Sequence, residues 1–513
     1  MANRQYVGAR YVPKFADPVE WNSALSYEAL TVVTHLGNSF TSKKPVPAGV
    51  DIGNTEYWVN TGNYNEQVAT YQTQVTNLSK FVNNSCVPIT AYGAVGDGAT
   101  DCTNAIIEAS QIGNGYIVIP KGEFFISGSV VIPDGVGLMF TGGKLIIRGS
   151  LKCGTIVADK YNIFSVTGSL TVNEGLTPVG YPEWFGNDVV ECYKYFKTIE
   201  LAPKTYIVNR PLELNKSNTR IYGINSEYYA SNLTRIVLTE NGIISVGDSA
   251  GNIINNFPRA ISLQNFTIDQ TNANSNCLSV YGVIGGIFEK MVFTGNSVKN
   301  TVSCTKCVYT KFIDCTSFVV RSENNQLRHF YMTDGGNPIA AGGNASLYFI
   351  RCNASTAGTP GGTGWFNEGV VSDIHLDSCE SAFCEGFNFV STTQRDGSYN
   401  NIIVNNCVFD SVPANGCTIT LPYKGTFVMS NTYIGLAANN NFACLQYAGG
   451  DMTLLIDDCQ FVCPTSNGIG FQCLGKVQGK VNASVNGPTI PYSITGDKTN
   501  LKLTLWNKGV ITE

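Results

Sequence analysis

A step of the form apolar-x-x-apolar recurs along the chain: Leu263-Gln-Asn-Phe266, Phe288-Glu-Lys-Met291, Phe312-Ile-Asp-Cys315, Phe349-Ile-Arg-Cys352, Leu376-Asp-Ser-Cys379, Val404-Asn-Asn-Cys407, Met429-Ser-Asn-Thr432 and Ile456-Asp-Asp-Cys459. Successive copies begin 25, 24, 37, 27, 28, 25 and 27 residues apart, the interval of a solenoid in which each unit buries its neighbours. Two residues before each anchor stands Thr310, Leu347, Ile374, Ile402, Phe427 or Leu454, the alternation of a strand with one face inward. Short strands, turn-rich spacers and no helical interlude predict an all-β chain wound as a right-handed, single-stranded parallel β-helix. The 37-residue unit between Cys315 and Cys352 must carry an extra loop.

This register predicts two further features. Cys315, Cys352, Cys379, Cys407 and Cys459 fall at one position of successive coils and should stack as an interior ladder about 4.8 Å apart. A second ladder would draw on Cys277, Cys304, Cys417, Cys444 and Cys473. The outward position of the same strand reads Lys311, Tyr348, His375, Ile403, Val428 and Leu455, so it turns apolar toward the C-terminus. A strand apolar on both faces needs cover on both. Either three β-helices pack side by side with their late coils at a shared axis, or a loop lies over the patch.

Upstream the period changes. Tyr64, Val68, Tyr71, Val75, Leu78 and Val82 are spaced 4, 3, 4, 3 and 4, the seam of a coiled coil, and at roughly three heptads such a helix needs partners. It is either a short trimeric stalk or one amphipathic helix lying on a domain. Before it, residues 1–62 read as a small β module, with strands at Thr31-Val32-Val33-Thr34 and Asn38-Ser39-Phe40-Thr41. Its aromatics Trp21, Tyr27, Phe40 and Trp58 form its core or stack on sugar rings. The predicted organisation is therefore 1–62 β module, 63–84 coiled coil, 85–480 β-helix and 481–513 closing strands, among them Ile490-Pro-Tyr-Ser-Ile-Thr495 and Leu501-Lys-Leu-Thr-Leu-Trp506.

Composition narrows the function. Charged residues are 14% of the 513, against about 25% in an ordinary soluble domain, and the net charge is −5. A mildly acidic chain with dispersed Lys and Arg has no field for phosphate, so nucleic acid is not an expected partner. No stretch approaches the roughly 18 apolar residues of a membrane span, and Met1 to Glu20 holds no apolar core of signal-peptide length, so membrane insertion and secretion are not expected. Seventeen cysteines in a long chain, with one CxxC at Cys304–Cys307, read as buried thiols of a protein assembled in a reducing cytoplasm.

Val87-Pro-Ile-Thr-Ala-Tyr-Gly-Ala-Val-Gly-Asp-Gly-Ala-Thr-Asp-Cys-Thr-Asn-Ala-Ile-Ile-Glu-Ala109, followed by Tyr116-Ile-Val-Ile-Pro-Lys-Gly-Glu-Phe-Phe-Ile126, resembles the entry motif and first coil of the pectate-lyase-like β-helix superfamily. A degenerate second copy lies near 179–214, in Tyr181-Pro-Glu-Trp-Phe-Gly186 and Leu201-Ala-Pro-Lys-Thr-Tyr-Ile-Val208. Gly93, Gly96, Gly98, Asp97 and Asp101 of the motif have structural uses, in positive φ and in capping. The N-terminal segment, with Tyr6-Val-Gly-Ala-Arg-Tyr-Val-Pro13, Tyr27-Glu-Ala-Leu-Thr-Val-Val33, Gly37-Asn-Ser-Phe-Thr-Ser42 and Asn60-Thr-Gly-Asn-Tyr-Asn65, is similar to the start of tailspike, tail-fibre and neck-appendage proteins of tailed bacteriophages. Together the resemblances cover about half of the chain. They imply a homotrimeric virion component that attaches through its N-terminal module to phage tail or neck proteins. They also imply recognition of a bacterial surface glycan during adsorption, often with depolymerisation.

Glycoside hydrolysis needs two carboxylates, roughly 5–5.5 Å apart for retention and 6.5–9.5 Å for inversion. Candidates cluster around the long unit: Glu368 beside Trp365, then Asp373, His375 and Asp377 on one strand face, then Glu380, Glu385, Arg395 and Asp396. The expectation is Glu368, Glu385, Asp373, Asp377 and Asp396 as catalytic candidates, with Trp365, His375 and Arg395 binding substrate. For each, a solvated turn is the plain alternative. His375 could also serve as a lyase base. Asp373, Asp377 and Arg395 only loosely resemble a calcium-assisted lyase site. With His35, His329 and His375 the only histidines, a metal phosphodiesterase is disfavoured and neither metal nor cofactor is expected. A hydrolase is thus favoured over a lyase, and a non-enzymatic adhesin or structural fibre of the same fold is the alternative. An unattached bacterial polysaccharide lyase is weaker, for want of an export signal.

Overall fold

The computed structural model describes residues 19–62, 68–75, 85–226, 233–247, 257–270, 276–296, 300–321, 327–334, 343–358, 361–369, 373–389, 400–410, 419–421, 424–435, 443–447, 451–463, 469–487, 490–507 and 510–512. From Thr198 onward the chain winds as a right-handed parallel β-helix with three walls. Typical rungs of the first wall are Phe312 and its neighbours in Lys311–Ile313, then Leu347–Ile350, Asp373–Asp377, Asn400–Asn405 and Lys424–Ser430. The second wall stacks Thr316–Arg321, Asn353–Gly358, Glu380–Ala382 and Val408–Asp410. The third stacks Asn300–Thr305, Arg328–Thr333, Thr363–Glu368 and Glu385–Phe389. Every one of these pairings is parallel, and each strand alternates buried inward residues with outward ones, so the inward rows of the three walls line a shared interior.

The repeated apolar-x-x-apolar step turns out to be the corner between the first and second walls. Its third residue is left-handed in every copy: Asn265, Lys290, Asp314, Arg351, Ser378, Asn406, Asn431 and Asp458 have φ between 47° and 58°. Asn and Asp tolerate this conformation, and they fill five of the eight places. The strain at Lys290, Arg351 and Ser378 is offset because each corner N–H continues the ladder, donating to Ile313 O, Asp377 O and Asn405 O at 2.9, 2.8 and 2.9 Å. The first apolar residue of the step points inward. Phe288, Phe312 and Phe349 stack with centroids 4.7 and 5.1 Å apart.

The last residue of the step forms the predicted cysteine ladder. Cys315, Cys352, Cys379 and Cys407 are buried, and each thiol donates to a carbonyl one coil back, to Phe288 O, Phe312 O, Phe349 O and Leu376 O. Thr432 interrupts the stack before Cys459, offering a hydroxyl to the Cys407 N–H in place of a sulfur. Burial pushes the Cys352 thiol well up. The second ladder does not form: Cys304 pairs with Val280 and Met332, and Cys473 with Tyr447. The third wall enters each coil through a spacer of variable length, so sequence spacing does not carry its register. Cys417 lies outside the described residues.

The entry motif builds the first coils. Ile89–Tyr92 form a 3-10 turn ended by Gly93 at φ 87°, and Thr103–Ala109 form the short helix. Asp97 accepts from Thr100 N and Ala99 N, and these bonds hold its carboxyl down at about 2. Asp101 accepts from Ser127 Oγ at 2.6 Å and Thr103 Oγ1 at 2.6 Å, which holds it at about 2 as well. Both are fasteners between turn, helix and first coil. The second copy repeats the device, with Pro182–Phe185 as the 3-10 turn and Val189–Tyr195 as a helix whose Asp188 cap accepts from Glu191 N.

Before the helix, Val19–Glu20, Val32–His35, Asn38–Ser42 and Trp58–Gly62 form a four-stranded sheet over Val33, Val46, Ile52 and Trp58. Its aromatics are core: Tyr27 meets Trp58 edge-on at 5.3 Å, and Trp21 meets His35 at 4.9 Å. Residues 68–75 are helical, and the seam side chains Val68, Tyr71 and Val75 are 48%, 67% and 62% exposed in the single chain. Tyr64, Leu78 and Val82 lie outside the described residues. At the other end, Leu501–Asn507 stacks parallel on Lys476–Asn486, so residue 480 is no break in the coil. Val510–Thr512 then turns back antiparallel.

Candidate functional site

The third wall gathers the most chemistry. Its strands Arg328–Thr333, Thr363–Glu368 and Glu385–Phe389 are in register as Phe330, Trp365 and Phe387 on one row and Tyr331, Phe366 and Asn388 on the next. Alternation sends these rows to opposite sides of the wall. Trp365 therefore points inward and is fully buried, stacked on Phe330 at 5.5 Å and edge-on to Phe349 and Phe409. It is core, and the expectation that it binds substrate is corrected for this chain.

Its neighbour Phe366 faces outward, half-buried, with Tyr331 beside it at 6.1 Å. The Arg328 guanidinium lies 3.9 Å from the Phe366 ring centre and 4.7 Å from that of Tyr331, and its side chain is only 13% exposed. Glu368 closes the cluster, accepting from Tyr331 Oη at 3.1 Å and standing 3.6 Å from Arg328. Burial raises the Tyr331 phenol, which therefore remains a donor. The result is a ring platform stiffened by a stacked cation, with a half-exposed carboxylate at its rim.

Glu385 sits at the start of the next rung. It accepts from Thr363 Oγ1 at 3.0 Å and Asn388 Nδ2 at 3.5 Å, and burial raises its carboxyl. It pairs with Thr363, five residues up the strand from Glu368, so the two backbones are separated by about 17 Å. Glu368 and Glu385 of one chain are not a hydrolytic pair.

Asp373, His375 and Asp377 do share the outer face of the first wall, because Ile374 and Leu376 between them are buried. Asp373 accepts from Asn401 and Ser346, and Asp377 from Asn406 and Ser378. His375 stacks on Tyr348 at 4.6 Å, and burial lowers its pKa against the pull of Asp373. The ring is thus held toward its neutral form, stacked on Tyr348 of the preceding coil and flanked by Asp373 and Asp377 on its own strand. Glu380 is exposed on the second wall, and Arg395 and Asp396 lie outside the described residues.

Among the described residues no three His, Cys, Asp or Glu side chains stand close enough to hold a metal ion. Nor is any described helix long and apolar enough to cross a membrane. Sequence reasoning missed Arg328, Tyr331 and Phe366. The signal was present in the adjacent aromatic pairs Phe330-Tyr331 and Trp365-Phe366, since a strand can bury only one of two neighbours.

No protein-family model and no curated protein matches the chain. Among solved structures it is similar to ORF18 of Geobacillus virus E2, at 16% identity over 92% of this chain and 67% of that one, with a TM-score of 0.36. It is also similar to the N-terminal fragment of bacteriophage Phi29 gene product 12, at 13% identity over 86% and 69%, with a TM-score of 0.33. The Acinetobacter phage vb_AbaP_AS12 gp42 tailspike matches at 12% identity over 84% and 64%, with a TM-score of 0.28.

Proposed function

We propose that the chain is a phage tail or neck appendage that recognises a bacterial surface polysaccharide through the third wall of its β-helix. The outward cluster of Arg328, Tyr331, Phe366 and Glu368 carries this reading. Aromatic faces pack on the C–H faces of pyranose rings, while the carboxylate and phenol reach sugar hydroxyls. The apolar stripe Tyr348, Ile403, Val428 and Leu455 on the first wall, with the exposed Val68, Tyr71 and Val75, supports a homotrimer closed along these surfaces. In it the N-terminal module attaches to the virion, and assembly in the host cytoplasm keeps the thiols reduced.

A second reading, depolymerisation, is favoured by Glu385. Burial biases its carboxyl toward the protonated form that a glycosidic leaving group needs, against the pull of the Thr363 and Asn388 hydrogen bonds. Glu368 is too far along the strand to be its partner, so the second carboxylate would come from Asp396 or from a neighbouring subunit.

One experiment serves both. Host-strain cells and their extracted glycans are incubated with the purified protein, and binding and oligosaccharide release are followed together. Phe366→Ala is expected to weaken binding about tenfold without loss of oligomer, and unchanged binding would overturn the reading. Release that disappears in Glu385→Gln supports the enzyme. Binding without release leaves an adhesin.

A further inference from the structure

We infer that the polysaccharide recognised by the third wall is uncharged and lies along the axis of the β-helix, an inference that rests on the glycan-binding reading above. Register places Tyr331, Phe366, Asn388, Gln446, Gln472 and Ser493 in one outward row, with the Thr420 position between Asn388 and Gln446. The row crosses six coil steps, about 29 Å in all. Each step of about 4.8 Å is close to the length of one pyranose unit, so an extended glycan parallel to the axis meets a new side chain at nearly every sugar.

None of these side chains is charged. The row begins with rings, which take sugar faces, and continues with amides and hydroxyls, which both donate and accept, as sugar hydroxyls do. Gln446 Nε2 donates to Gln472 Oε1 at 2.6 Å, so the amides are aligned along the row, and each has hydrogen-bonding capacity beyond that one bond. Among the described residues the charges beside the row, on Arg328, Glu368 and Glu385, are already answered. Arg328 stands 3.6 Å from Glu368 and is stacked between rings, and burial favours the neutral form of Glu385. A polyanion would need a file of cations here, and it would approach a chain of net charge −5.

The test is affinity electrophoresis of the full chain through gels containing one polymer each: a glucan, a mannan or a galactomannan, against polygalacturonate, hyaluronan or poly(glycerol phosphate). The expected result is retardation by an uncharged polymer that persists from low to high salt. Gln446→Ala should weaken it about tenfold. Gln478→Ala, on the first wall, should leave it unchanged. Retardation by polyanions alone, retardation that collapses with salt, or indifference to Gln446→Ala overturns the inference while leaving glycan binding intact. Retardation by none of the polymers overturns the glycan reading and the inference with it.

Discussion

Trp365→Ala is expected to lower the unfolding free energy by about 3–5 kcal/mol, the cost of emptying a buried indole site. The ring touches three walls at once: Phe330 on its own wall, Phe349 on the first and Phe409 on the second. Each coil stacks only on its neighbours, so the cavity would weaken the seams on both sides of the rung and the coils there should separate first. Chemical denaturation followed by tryptophan-independent circular dichroism measures this directly. Phe366→Ala, one residue away but outward, should cost under about 1 kcal/mol and be felt in glycan binding instead. If Trp365→Ala unfolds at the same denaturant concentration as the parent while binding is lost, the indole is not core and the two neighbours have exchanged roles.

That contrast marks how far the chain can be read without its coordinates. The repeat at the first-to-second corner was legible because its chemistry is local, a fixed four-residue apolar-x-x-apolar step, whereas its being a corner with a left-handed third residue that favours Asn or Asp was seen only in the coil. The cysteine ladder followed from the same step. The third wall was less legible, because spacers of unequal length separate it from that corner and a one-residue slip inverts every side chain. The second cysteine ladder failed for that reason, and so did the assignment of Trp365. The cluster around Phe366 depends on Arg328 and Tyr331, more than thirty residues earlier, and only the coil register brings them together. The grouping of Asp373, His375 and Asp377 on one face was readable, since alternation within a single strand suffices. That His375 stacks on Tyr348 needed the preceding coil.

The larger pH effect is expected from His329, which the repeat pattern does not single out. This histidine is buried inside the helix where the second and third walls meet. Ser317 Oγ stands 2.8 Å from its Nδ1, Thr356 Oγ1 stands 3.0 Å from its Nε2, and Thr301 donates to its carbonyl. Hydroxyls can serve a neutral imidazole at both nitrogens, as donor to one and acceptor from the other, but they bring no negative charge to balance an imidazolium. Burial accordingly lowers the pKa from 6.5 to about 3. The unfolded chain takes up a proton below its ordinary value of 6.5, whereas the folded chain refuses one until about 3. The unfolded state therefore binds more protons throughout that window, and stability falls as the pH falls. The contribution is fully present above pH 6.5 and is lost at about 1.4 kcal/mol per pH unit below it, up to about 5 kcal/mol near pH 3. Asp97 and Asp101, held at about 2, add losses of the same sign at the acid end of the range, so the diagnostic interval lies above the carboxylates. Between pH 7 and pH 5 His375, whose pKa burial also lowers, adds a loss of the same sign and Glu385, whose pKa burial raises, an opposing gain, so denaturant titrations of the parent and of a His329 variant across the interval separate the His329 part by difference. The parent should lose stability across the interval, whereas His329→Gln, less stable at pH 7 through its broken hydrogen bonds, should show a much flatter dependence. An equal slope in both proteins would mean that His329 is protonated in the folded state and that its corner admits water.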